Sequence, residues 1–172
     1  MKKQNIFALL KKDHEKVSQL FSKIEKAGDK AVAKKETLYA KIREELTIHS
    51  FGEEKAVYPL LKENEKTQDI GWESVEEHGV VKYLFSKIDA ATAGTPDWKA
   101  LVTVLKEVVE HHVEEEESEM FSKMRKAFSK EELDLMGVNF VKAKKMTNVK
   151  ELKAKTLHKP AKPTAGTSMA MQ

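Results

Sequence analysis

Between residues 109 and 121 the chain reads Val109-Glu110-His111-His112-Val113-Glu114-Glu115-Glu116-Glu117-Ser118-Glu119-Met120-Phe121. His112 and Glu116 are four residues apart, so on a helix they share a face one turn apart, the spacing of two ligands to one metal site. The pattern recurs upstream in Thr47-Ile48-His49-Ser50-Phe51-Gly52-Glu53-Glu54-Lys55-Ala56-Val57-Tyr58-Pro59. His49 and Glu53 have the same spacing, and an aromatic residue follows each histidine nine positions later, Tyr58 and Phe121.

The offset from His49 to His112 is 63, and the segment from Asp13 to Ile24 matches Glu77 to Ile88 at an offset of 64, aligning His14 with His78. The body of the chain is one half-unit written twice, about residues 1–64 and 65–128, each half carrying a lone histidine and then a His-x-x-x-Glu.

At 172 residues with 7 glycines, 4 prolines and no cysteine, the chain reads as one all-α domain without thiolate ligands, disulfides or a cysteine nucleophile. The apolar run Ile6 to Leu10 is too brief for a signal-peptide core, and no stretch approaches the roughly 20 apolar residues that span a bilayer, so a cytoplasmic protein without a membrane partner is expected. The net charge of +3 conceals an asymmetry. Residues 141–172 hold 8 lysines and 1 glutamate; removing them from totals of 31 basic and 28 acidic residues leaves 23 and 27, so the body carries −4. That balance argues against nucleic acid as a partner of the body.

Periodicity places helix A at about 6–27, B at 31–62, C at 72–93 and D from Gly94-Thr95-Pro96 to about 128. Their apolar seams include the polar positions His14, then His49 and Glu53, then His78, then His112 and Glu116. Seam D also takes in Leu101, Val108, Met120 and Met124, and seam B ends on Leu60, with Pro59 positioned to kink or stop that helix. Four such helices with short loops predict an up-down-up-down bundle over residues 1–128. Ser129-Lys130-Glu131-Glu132 reads as a capping box for a short helix, within 129–147, that Gly137 would end; residues 148–172, rich in Lys and Pro, read as a disordered basic tail.

Measured from the loop centres, all six seam side chains fall within about two turns of one level, facing inward. Four imidazoles and two carboxylates buried together demand compensating positive charge, and this donor mixture suits iron, manganese or zinc. Two carboxylates for four histidines fit a dinuclear centre with each glutamate bridging. Asp13 and Glu77, each just before a seam histidine, are candidate acceptors for the imidazoles, and Glu117 with its repeat mate Glu54 are candidate substitute ligands. His111 points about 100° away from His112 and its repeat mate is Ile48, while His158 lies in the tail. Tyr39, Tyr83, Leu84 and Phe85 are candidates for lining a pocket or for ordinary core and surface. The Glu-x-x-His pattern of ferritin-like bundles and the His-Glu-x-x-His of zinc proteases are both missing.

The set His14, His49-x-x-x-Glu53, His78 and His112-x-x-x-Glu116, with Tyr58 and Phe121, resembles the hemerythrin-like proteins with HHE cation-binding repeats over about residues 5–128. The resemblance implies a four-helix bundle holding two iron ions with an oxo or hydroxo bridge; manganese or zinc would suit the same donors. The chain departs from the oxygen carriers of that family. Ser74 and Lys82 flank His78 where the carriers have a second histidine four residues away, and Glu116 stands where they have an aspartate one residue further on. Two six-coordinate ions offer about twelve positions, of which this set and one bridging oxygen fill about ten. The resemblance therefore implies a protein, monomeric or weakly homo-oligomeric, that binds or processes O2, peroxide or nitric oxide in stress defence. Peroxide or NO turnover is the enzymatic form of this reading. An iron or oxygen sensor or store without turnover is the alternative, and a plain helical scaffold is the third.

Overall fold

A computed structural model of the chain describes residues 5–147, which are helical with no strand among them. The helices are α1 (Ile6–Glu25), α2 (Val32–Ala56), α3 (Tyr58–Glu63), α4 (Gln68–Ala90), α5 (Pro96–Glu115), α6 (Phe121–Ala127) and α7 (Lys130–Met146), with a π-helical turn at Glu116–Met120 joining α5 to α6. Two hairpins, α1 with α2 and α4 with α5, make the four-helix bundle. The expectation for the tail falls outside the described residues.

Several starts follow local chemistry as read from the sequence. The Thr95 hydroxyl accepts from the Trp98 amide at 3.3 Å with Pro96 in the first turn, and Ser129 and Glu132 form the reciprocal capping box. Other boundaries move. Helix α4 begins at Gln68, because the polar run 64–71 folds back on α3: a Cβ on Gly71 would lie 2.9 Å from Leu61 Cβ. It ends at Ala90, and Gly94 sits beyond it at φ 82°, pressed against Val32.

The expected continuous helix B breaks at Val57, since Pro59 has no N–H to give and its ring crowds the carbonyl one turn back. The expected continuous helix D is interrupted by the π-helical turn. The cause is the same in both halves. Each must present side chains inward at four-residue steps, His49, Glu53, Val57, Leu61 and His112, Glu116, Met120, Met124. An α-helix turns 400° over four residues and so drifts 40° at each step. One half resets the phase with a proline break and the other with a wider turn. The reset makes Leu61 core and leaves Leu60 40 % exposed, and in α5 it is Val102 and Val109 that are buried where the seam had placed Leu101 and Val108.

Helix α7 is the largest departure. Gly137 does not end it; the helix runs seventeen residues, to Met146, with Gly137 buried in its interior. A mid-helix glycine costs about 1 kcal/mol against alanine. Packing of Met136, Phe140 and Ala143 outweighs that cost as α7 lies across α1 and α2. The close approach is at Gly52, where a Cβ would meet the Phe140 ring at 2.6 Å.

The core divides into two apolar clusters. One contains Val17, Phe21, Ile42, Phe85 and Leu105, the other Ile6, Leu10, Leu61, Phe121 and Phe140. Between them lies a layer of buried polar side chains.

Candidate metal centre

All six seam residues meet in that layer. His14, His49, Glu53, His78, His112 and Glu116 are 7, 5, 0, 4, 6 and 1 % exposed. Each glutamate lies between one histidine from each half. Glu53 Oε2 is 3.1 Å from His49 Nε2 and 3.5 Å from His78 Nε2. Glu116 Oε2 is 3.2 Å from His14 Nε2, and its Oε1 is 3.7 Å from His112 Nε2.

The outer faces are equally regular. Each of the four layer histidines directs Nδ1 to a carboxylate: His14 to Glu117 at 2.9 Å, His49 to Asp13 at 3.2 Å, His78 to Glu54 at 3.2 Å and His112 to Glu77 at 2.5 Å. The four acceptors obey the same duplication, Asp13 pairing with Glu77 and Glu54 with Glu117. An Nδ1–H fixed in this way turns the Nε2 lone pair inward, the tautomer that ligates. Glu54 and Glu117 thus stand outside the layer and face the outer nitrogens rather than the inner ones. Lys144, from α7, donates to Asp13, and Glu77, the repeat mate of Asp13, does not share this lysine. His111 points away from the layer, its side chain 65 % exposed and paired with Glu115. Tyr83 is 61 % exposed; Tyr39 is buried and donates to Asp89 at 2.9 Å.

The electrostatics are those of a site built for cations. Burial pulls the His49 imidazole toward neutrality, yet Glu53, Asp13 and Glu116 outweigh it and raise its pKa to about 10. His112, likewise opposed by burial, is lifted to about 9 by Glu116, Glu77 and Glu53. Burial pushes Glu116 upward, but the surrounding imidazoles hold it well below the usual carboxylate range. The His78 bond, with Lys82, lowers Glu54 to about 2. Even so, His14 Nε2, His112 Nε2, both oxygens of Glu53 and Glu116 Oε2 are buried without a hydrogen bond. Leaving such atoms unpaired costs about 1–3 kcal/mol each, more when charged. Divalent or trivalent cations between them would satisfy all five, and imidazole with carboxylate is a donor set for iron, manganese or zinc. Among the described residues three groups have converging ligand atoms, all within 4.8 Å of one another: in the layer His14, His49, Glu53 and Glu116, and Glu53, His78 and His112, and outside it Glu77, His111 and Glu115, whose His111 is exposed.

Sequence reasoning passed over Tyr58 as a site residue. Its hydroxyl donates to Glu116 Oε1 at 2.9 Å and lies 3.3 Å from His78 Nε2, and the residue is fully buried. Burial, with Glu116 and Glu53 close by, pushes its pKa well above the usual value. The signal was its repeat mate Phe121, which shares the ring and lacks the hydroxyl.

On the other side of the histidines is a cavity of about 40 Å³ walled by Val17, Leu46, Val81, Phe85, Val109 and Val113. It has room for one or two water-sized molecules. A groove of about 450 Å³ between α1 and α5, rimmed by Lys11, Glu114 and Glu117, shares His14, Val17, Val109 and Val113 with it.

A family model described as the Hemerythrin HHE cation binding domain matches residues 5–124. A DNA nickase of Nostoc sp. (strain PCC 7120) is 30 % identical over 140 residues, 81 % of this chain and 39 % of the nickase. An uncharacterized hemerythrin-like protein of Schizosaccharomyces pombe is 29 % identical over 136 residues, 78 % of this chain and 66 % of that protein. The chain therefore spans about two fifths of the first relative and just under two thirds of the second. No solved structure matches significantly.

Proposed function

The chain belongs to the hemerythrin family of HHE cation-binding domains, and from that premise we propose that its buried layer holds a di-iron centre that binds or processes O2, peroxide or nitric oxide. The observation that carries the reading is the set of five inner polar atoms left without hydrogen bonds while every outer imidazole nitrogen is held by a carboxylate. His14, His49, His78 and His112 would supply the nitrogen ligands and Glu53 and Glu116 the carboxylate ligands, Glu53 being the one present in both converging groups. When bound, a pair of redox-active ions supplies the electrons to bind or reduce a small oxidant.

The protein's own part is selection and shielding. The six valine, leucine and phenylalanine side chains around the cavity exclude bulk water and admit molecules of diatomic to triatomic size. The groove between α1 and α5 gives a route from solvent as far as His14 and Val17. A cytoplasmic role in oxidative or nitrosative stress defence fits this reading; among the described residues no helix is long and apolar enough to cross a membrane.

The experiment is to mix iron-loaded protein with O2, peroxide or NO. Turnover, or a defined spectral change with any of them, is the expected result. Inertness toward all three would contradict it.

A sensor or store without turnover is the second reading, favoured by the buried Glu53, both of whose oxygens lack a hydrogen bond and would be satisfied by a metal, which ties folding to metal. Large loss of helicity on chelation, with no turnover, would select it. The name of the Nostoc relative brings a third class, action on DNA. Ligands at most 7 % exposed behind a 40 Å³ cavity do not admit a nucleotide, so intact supercoiled plasmid is the expected outcome with iron-loaded protein.

A further inference from the structure

The two halves of the layer are not equally supplied with donors. His14, His49, Glu53 and Glu116 converge as four, whereas only Glu53 joins His78 and His112 on the other side. The Tyr58 hydroxyl fills the poorer half, 3.3 Å from the ligating nitrogen of His78 and 2.9 Å from Glu116 Oε1. Ser74, also beside the Tyr58 hydroxyl, donates its own hydroxyl to the Ile70 carbonyl at 2.8 Å.

We propose that Tyr58 is the additional oxygen ligand of the metal position built on His78 and His112, so that the centre is asymmetric by design. The inference rests on the proposed metal centre and adds a ligand to it. Three details support it. The break at Val57 and the proline at 59 start α3 at Tyr58 and place its ring in the layer rather than along the α2 face. The ring is packed against the His78 imidazole, with centroids 5.2 Å apart, so the hydroxyl cannot swing to solvent. At the equivalent place in the half that already has four donors stands Phe121, fully buried and without an oxygen. As the metal–oxygen bond forms, the phenol O–H bond breaks and its proton leaves to solvent, as happens whenever a protonated side chain becomes a ligand.

Coordinated phenolate has a signature that a merely hydrogen-bonded phenol lacks, a visible charge-transfer transition to iron(III). The chain has 3 tyrosines; Tyr39 is engaged with Asp89 and Tyr83 is exposed, so the band would have one origin. The full-length protein, loaded with iron in air, is examined by metal analysis, visible absorption and resonance Raman. Wild type should bind about two irons per chain and show the phenolate band with enhanced tyrosinate ring modes. Tyr58→Phe, which copies the natural residue at 121, should keep both irons and lose the band and the ring modes. Two irons in wild type with no phenolate band overturns the assignment of Tyr58 alone, and so does a band that survives in Tyr58→Phe. Failure of wild type to take up iron overturns the proposed centre and this ligand with it.

Discussion

Each imidazole of the layer is held at its outer nitrogen, and that contact governs how well the inner one can bind. Removing the negative charge of the outer acceptor with Asp13→Asn or Glu77→Gln should weaken metal binding about 10- to 100-fold, read by chelator competition while far-ultraviolet circular dichroism stays helical. Unchanged affinity in both would detach these carboxylates from the site. Asp13→Asn should also lower stability more than Glu77→Gln, because only Asp13 carries Lys144 as a second partner. Protonation gives a further test. The folded metal-free values near 10 for His49 and near 9 for His112 lie above the ordinary 6.5. Their contribution to stability is therefore fully present below about 6.5 and lost as pH rises through 9 and 10. At pH 7 both imidazoles hold protons that a metal must displace. Loading in weak buffer should acidify the solution, and affinity should rise with pH. No proton release at pH 7 would show that the imidazoles are already neutral. The six inner residues were legible in the sequence because a duplication repeats each of them in register. The role of Tyr58 was not, because an aromatic nine residues after each histidine reads as core and the Tyr58 hydroxyl has no repeat mate to draw attention to it.

The elements show where one-dimensional periodicity stops being informative. The four-residue steps from His49 to Leu61 and from His112 to Met124 read as good seams, yet nothing in them says how the backbone absorbs the accumulated drift. Proline at 59 hinted at one solution; the π-helical turn at Glu116–Met120 had no residue to announce it, although such turns often sit at functional sites. Helix α7 was misjudged for a related reason, since Gly137 is a stop signal only where tertiary packing does not override it. The contact at Gly52 tests that packing. Gly52→Ala would ordinarily favour α2 by about 1 kcal/mol. Here the added methyl would sit 2.6 Å from the Phe140 ring, so a net destabilisation of about 1–3 kcal/mol is expected in denaturant melts. Phe140→Ala should cost about 3–5 kcal/mol, since that ring is 1 % exposed. Stabilisation by Gly52→Ala would mean that α7 does not rest there. The ring also meets His49 edge-on, centroids 5.9 Å apart, so a helix outside the duplicated halves supports one ligand directly and its acceptor Asp13 through Lys144.

At the scale of the molecule, a polar layer divides the core into two apolar clusters and removes from it the packing that would otherwise join them. Such a chain gains its missing stability when the layer is filled. Iron at a thousandfold excess over its Kd should add roughly 4 kcal/mol to the free energy of unfolding, and the midpoint should climb with iron concentration. The bundle architecture was readable from seams, caps and loop lengths, because amphipathic helices with short connections leave few alternatives. The partition of the core was readable only as a consequence of six polar residues at one level. The most direct test of the central claim is the metal content of the full-length protein after iron loading and desalting, in wild type and in the double variant His49→Ala, His112→Ala. The account predicts about two irons per chain in wild type and a large loss in the variant with its helices retained. One iron or none in wild type, or equal iron in both proteins, would contradict it.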